Sequence, residues 1–106
     1  MGRSKRAYRI SFAGRSKEQL NGLRAQAIQL GIKKEFLSAI KWIHQRLSAA
    51  PSKWGDPLYR LRYLELDLYR GTHTPLNMVY AVDEQGKLVY LTQVWPMPGH
   101  GYTQET

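Results

Sequence analysis

The chain has 106 residues, no cysteine, 42% hydrophobic residues and a formal net charge of +8. That length bounds it to one domain, spanning 1–106, with a single modest core. The missing cysteines exclude disulfides, thiolate metal sites and a cysteine nucleophile, and no apolar run approaches the roughly 18 residues of a membrane-spanning helix.

The charge is unevenly spread. Residues 1–55 carry 12 Lys/Arg against 2 Asp/Glu, whereas residues 56–106 carry 4 against 6. A basic first half points to a polyanionic partner. The alternative is a solvated surface that only confers solubility. Met1 to Arg6 has charge but no apolar stretch behind it, unlike a secretory signal. It is expected to be a basic mobile arm of a cytoplasmic protein.

Tyr8, Ile10 and Phe12 alternate with Arg9 and Ser11, which predicts a short first strand with one buried face. Ser16 and Gln19 have the spacing of a capping box, and Glu18 suits a first helical turn. Leu20, Leu23, Ala27 and Leu30 then predict a helix over about 17–30, closed by Gly31. A second helix follows Ile32, with Phe36, Ile40, Ile43 and Leu47 as its stripe, widened by Leu37, and Pro51 just past its end. So short a connection predicts an antiparallel helical hairpin. Its outer faces carry Lys17, Arg24, Lys33, Lys34, Lys41 and Arg46, the candidate nucleic-acid-binding set.

Residues 59–69 read Tyr-Arg-Leu-Arg-Tyr-Leu-Glu-Leu-Asp-Leu-Tyr. The apolar positions are odd up to Tyr63 and even from Leu64. Side chains alternate faces along a strand, so one continuous strand needs a bulge or bend near Tyr63–Leu64 to absorb the change of phase. Arg60 and Arg62 would then sit side by side on one open face. Arg70 to Pro75 is expected to be a turn, 76–82 a strand, Asp83 to Gly86 a hairpin connection with Gly86 left-handed, and 87–95 the last strand. The two last strands are apolar on both faces, as in the middle of a sheet. The tail that follows carries His100 and Tyr102, and its last four residues, 103–106, are expected to be disordered.

The predicted class is thus α+β, order βααβββ: a two-helix hairpin packed on a mainly antiparallel four-stranded sheet. The sequence holds no Gly-rich phosphate loop, no Gly-x-Ser-x-Gly turn, no His-Glu-x-x-His pair, and no metal-ligand spacing among its three histidines. No metal or cofactor is expected. Paired arginines suit a phosphate, a tyrosine can stack on an unpaired base, and a histidine can move a proton near neutrality. Together they suffice for attack of a ribose 2′-hydroxyl on the adjacent phosphate. The alternative is that Arg60 and Arg62 only bridge Glu65, Asp67 or a chain terminus and that Tyr102 only packs.

The element order, the basic charge, Asp56-Pro57-Leu58-Tyr59-Arg60-Leu61-Arg62, and Met78-Val79-Tyr80-Ala81-Val82-Asp83 followed by a strand and a tyrosine-bearing tail resemble the RelE/ParE superfamily of bacterial toxins. The resemblance covers about 8–102. It implies a type II toxin–antitoxin system, with an antitoxin whose acidic segment lies across the basic surface. For the RelE branch it implies metal-free cleavage of messenger RNA at the ribosome. Arg60 and Arg62 then match the basic pair on the family's second strand, Tyr102 the tail tyrosine, and His100 falls in the tail where catalytic or phosphate-contacting residues occur in some members. Two expected cations are absent: Asn77 stands where an arginine precedes Val-Tyr, and Trp95-Pro96-Met97-Pro98 where a basic residue follows the last strand. A gyrase-inhibiting ParE-like toxin and an inactive basic binding homologue are the alternatives.

Overall fold

The computed structural model describes residues 7–97. The basic arm, His100, Tyr102 and the rest of the tail lie outside the described residues. In chain order the elements are β1 (Arg9–Phe12), α1 (Ser16–Leu30), α2 (Lys33–Ala49), a single 3-10 turn (Pro51–Lys53), β2 (Asp56–Leu61), β3 (Leu66–His73), β4 (Leu76–Asp83) and β5 (Leu88–Pro96). The sheet has five strands, not four, in the order β1-β5-β4-β3-β2. β1 runs parallel to β5 and every other neighbour is antiparallel.

The additional strand comes from the stretch with the phase change. The chain does not bulge at Tyr63–Leu64; it reverses through residues 62–65, where Leu64 N–H donates to Leu61 O and Glu65 N–H to Arg62 O, both at 3.2 Å. Glu65 takes the left-handed conformation that closes the turn (φ 52°). In the hairpin Tyr59 faces Leu68 and Leu61 faces Leu66. Odd positions of the first half thus share a face with even positions of the second, so the shift in phase satisfies both halves. The bulge lies elsewhere, between Pro57 and Tyr59, where Leu58 has no opposite residue.

Both helices cover one face of the sheet. Leu23 and Ala27 of α1 and Phe36, Ala39, Ile43 and Leu47 of α2 form one core with Leu76, Met78, Tyr80 and Val82 of β4 and Val89, Leu91 and Val94 of β5. Leu37, expected to widen the stripe, is exposed; Ala39 is buried instead. Gly31 closes α1 in the left-handed conformation (φ 78°), as expected. The capping box does not form. Arg15 precedes the helix without a side-chain cap, and Ser16 Oγ is buried with no partner. Gln19 instead accepts a bond from Val94 N–H at 3.1 Å. β1 reaches only to Leu91 of β5, so the N–H at Val94 has no strand beside it and takes a helix side chain. At the β4–β5 turn Lys87, not Gly86, is left-handed (φ 55°). A Cβ on Gly86 would lie 2.8 Å from Asp83 Oδ2 and would displace that carboxylate, whose Oδ1 accepts from the Gly86 N–H. The expected turn over Arg70 to Pro75 shrinks to Thr74–Pro75, since β3 continues to His73.

An aromatic column ties the loop before β2 to the sheet. Tyr69 and Trp54 each stack on Tyr80, with centroids at 5.4 and 5.6 Å, and Trp42 meets Trp54 edge-on. Tyr80 Oη donates to Pro51 O at 2.6 Å and accepts from Gly55 N–H at 2.9 Å. Burial pushes the Tyr80 hydroxyl up to about 12 from its ordinary 10.0. Below the lower value both folded and unfolded chains keep the proton and nothing is lost. Between the two values only the unfolded chain ionises, so stability falls as pH rises. The Tyr80 share of that loss should reach about 2 kcal/mol near the upper value. Tyr80→Phe should cost about 1–3 kcal/mol at neutral pH, by leaving Gly55 N–H and Pro51 O unpaired, and should flatten the alkaline decline. Urea unfolding of both proteins across this range checks it; parallel declines would refute it.

Candidate functional site

The face of the sheet away from the helices is decided by strand register. Thr72 faces Asn77, which faces Trp95; in the next row Asp56 faces Arg70, Arg70 faces Val79, and Val79 faces Gln93. Their alternating neighbours Met78 and Val94 point into the core. Arg70, Thr72, Asn77, Gln93 and Trp95 therefore share the open face. The exposed Arg70 guanidinium lies 5.7 Å from the Trp95 ring centre, within cation–π range. Thr72 Oγ1 donates to Asn77 Oδ1 at 2.9 Å. The neutral Asn77 amide, buried between β3 and β5, is thereby fixed in the floor of the site.

The predicted pair Arg60 and Arg62 does not sit together on one strand. Arg60 is in β2 opposite Asp67, on the same side as Val82 and the helices. Its Nη1 donates to Asp67 Oδ1 at 2.9 Å, with side-chain exposures of 51% and 33%. A half-exposed pair of this kind contributes about 0–1 kcal/mol, and it leaves the guanidinium open to solvent on one side. Arg62 lies in the exposed turn before β3. Neither is beside Arg70. The six helical cations, Lys17, Arg24, Lys33, Lys34, Lys41 and Arg46, are all exposed on the helical layer. Arg46 stacks 5.2 Å over Trp42; the other five have no ion pair among the described residues. The protein thus carries a broad basic layer on one side and an arginine–tryptophan pair on the other.

Sequence reasoning missed Arg70 by assigning it to a turn. The signal was available in Thr72, a β-branched residue, and in Gly71, which reads equally as turn or strand. Once the hairpin at 62–65 is recognised, β3 becomes the strand that pairs directly with the Val79-Tyr80 strand, and Arg70 its only arginine. The described chain ends at the same end of the sheet, where Met97 N–H donates to Pro75 O at 2.8 Å. His100 and Tyr102 follow three and five residues later. No group of three or more potential metal ligands occurs among the described residues. His73 packs at a tilt of 33° against Trp42 with centroids 4.3 Å apart, on the helix side. Among the described residues no helix is long and apolar enough to cross a membrane.

No protein-family model and no curated protein matches the sequence. Solved structures do match. A chain of the RelBE2 toxin–antitoxin complex from Mycobacterium tuberculosis superposes with a TM-score of 0.63 at 16% identity, over 90% of this chain and 97% of that one. A chain of the archaeal RelE–RelB complex from Pyrococcus horikoshii gives 0.59 at 21% identity, over 87% and 97%. The chain accordingly has the RelE-like fold that its sequence resembles, with one strand more in the sheet than the four expected.

Proposed function

We propose that this protein is the toxin component of a type II toxin–antitoxin pair, and that its open sheet face cuts messenger RNA at the ribosome. The observation that carries the reading is the Arg70–Trp95 pair on a RelE-like sheet, at the end where β5 leads towards His100 and Tyr102. In the proposed reaction the ribose 2′-oxygen forms a bond to the adjacent phosphorus and the bond to the 5′-oxygen breaks. A 2′,3′-cyclic phosphate and a 5′-hydroxyl result. Arg70 supplies fixed positive charge to the phosphate oxygens. Tyr102 stacks on the unpaired base, and His100 or Tyr102 carries the proton. Arg60, Arg62 and the helical cations hold the surrounding RNA backbone by charge. An antitoxin with an acidic segment would neutralise the same basic surfaces.

A second reading, a toxin that only binds and targets gyrase, or an inactive homologue, draws on Asn77. A neutral amide stands where the RelE branch has a cation, and its oxygen is already bonded to Thr72. Adding the purified chain to a cell-free translation reaction separates the two. The cleavage reading expects peptide synthesis to stop and the message to be cut within the ribosome-bound region. Uninterrupted translation alongside inhibited DNA supercoiling would sink it in favour of gyrase binding.

A further inference from the structure

Asn77 is one of two polar residues buried among the described residues, the other being Ser16. It stands on the open face between Thr72 of β3 and Trp95 of β5. The two ends of its amide are used differently. Oδ1 accepts from Thr72 Oγ1 at 2.9 Å. Nδ2 has no hydrogen-bond partner among the described residues. It is not enclosed either, since Ser16 Oγ is the one enclosed side-chain nitrogen or oxygen there that lacks a partner. A buried side chain thus opens a single group to the sheet surface, and that group can only donate. Native structures rarely leave the donors of a buried amide unmatched, so this one points to an acceptor on a ligand.

The surroundings decide which acceptor fits. The Arg70 guanidinium reaches from β3 across β4 to 5.7 Å from the Trp95 ring centre. Fixed charge for a phosphate therefore already stands over the strand that carries Asn77. The amide adds no charge. Beside an indole ring, what a neutral, oriented donor does best is tell base edges apart. A keto oxygen accepts from it, whereas an exocyclic amino group sets N–H against N–H.

We propose that Asn77 is a specificity-determining residue: its Nδ2 donates to the keto oxygen of an unpaired base, O4 of uracil or O6 of guanine, and disfavours cytosine and adenine. Thr72 is the positioning residue, whose hydroxyl holds the amide in that orientation. The inference rests on the open face being the RNA site proposed above, and it names the bases that this site prefers.

Binding of 2′-O-methyl hexanucleotides, which lack the attacking hydroxyl and stay whole, tests it on the full chain. Uracil and cytosine share one ring and differ at the 4-position, keto against amino. Fluorescence anisotropy of labelled oligomers should show the hexauridylate bound roughly two- to tenfold more tightly than the hexacytidylate, the worth of one net hydrogen bond. Asn77→Asp should invert the order, because a carboxylate oxygen takes the place of the donor. Its added negative charge weakens both oligomers, so the ratio is what is read. Thr72→Val, at an exposed position, should bring the ratio towards one, and Thr72→Ser should keep it. If Asn77→Asp loses its native circular dichroism, the two Thr72 variants decide. Equal binding of the two oligomers by the wild type, binding of neither, or a ratio that folded Asn77→Asp or Thr72→Val leaves unchanged overturns the inference. The translation reaction described above tests the cleavage reading separately. A message left uncut while the uracil preference holds removes that reading and keeps the base site; a message cut while uracil and cytosine bind equally does the reverse.

Discussion

Gly71→Ala should destabilise the fold by about 2–4 kcal/mol, a large effect for the addition of one methyl group. Gly71 lies within β3 opposite Met78, and a Cβ built there falls 2.5 to 2.9 Å from three carbons of the Trp54 ring. Relief would require Trp54 to move, and its ring is held on two sides, stacked on Tyr80 and edge-on to Trp42. Shifting it drags the segment from Pro51 to Gly55, whose backbone is bonded to Tyr80 Oη. For a chain of about this size each kcal/mol lowers the melting temperature by roughly 4–8 °C. Thermal unfolding should therefore show a drop of about 10–30 °C. A variant melting within a few degrees of wild type would mean that Trp54 is not seated over Gly71. Trp54→Ala together with Gly71→Ala should then cost less than the sum of the two single changes, because the clash and its victim are the same ring.

Arg70→Ala should lower the rate of message cleavage about a hundredfold or more, the usual loss when a charge aimed at a phosphate transition state is removed. Its melting temperature should scarcely change, since Arg70 is exposed and makes no ion pair among the described residues. Arg70→Lys should fall between: it restores charge but not the planar fork. The double change Arg60→Ala with Arg62→Ala should cost less. Arg60 is already offset by Asp67 at 2.9 Å, and both arginines lie away from the Arg70 row of the sheet. Single-turnover cleavage on programmed ribosomes gives the ordering. A double variant weaker than Arg70→Ala would return the phosphate site to the hairpin.

Much of the architecture follows from local pattern. Period-3.6 stripes at Leu23 and Ala27 and at Phe36, Ile43 and Leu47 define the helices, and the doubly apolar 76–82 and 87–95 stretches identify the inner strands. The uneven charge separates a basic helical layer from a near-neutral sheet edge. These features are written in nearest neighbours along the chain, so they are legible without coordinates.

The placement of the arginines is not of that kind. A change of apolar phase at Tyr63–Leu64 is satisfied equally by a bulge in one strand or by a reversal into two. Alternation alone cannot distinguish them. Long-range partners decide: Asp67 across from Arg60, Leu66 and Leu68 across from Leu61 and Tyr59, and β4 waiting beside β3. The reversal makes Arg60 and Arg62 part of an outer hairpin and brings Arg70 to the open face beside Trp95, which is 25 residues later in sequence. By itself the sequence determined the helices, the inner strands and a cationic surface, because each rests on local periodicity and composition. Which arginine lies on the open face of the sheet was decided only by tertiary structure, because strand pairing sets the face of a side chain and pairing joins residues far apart in the chain.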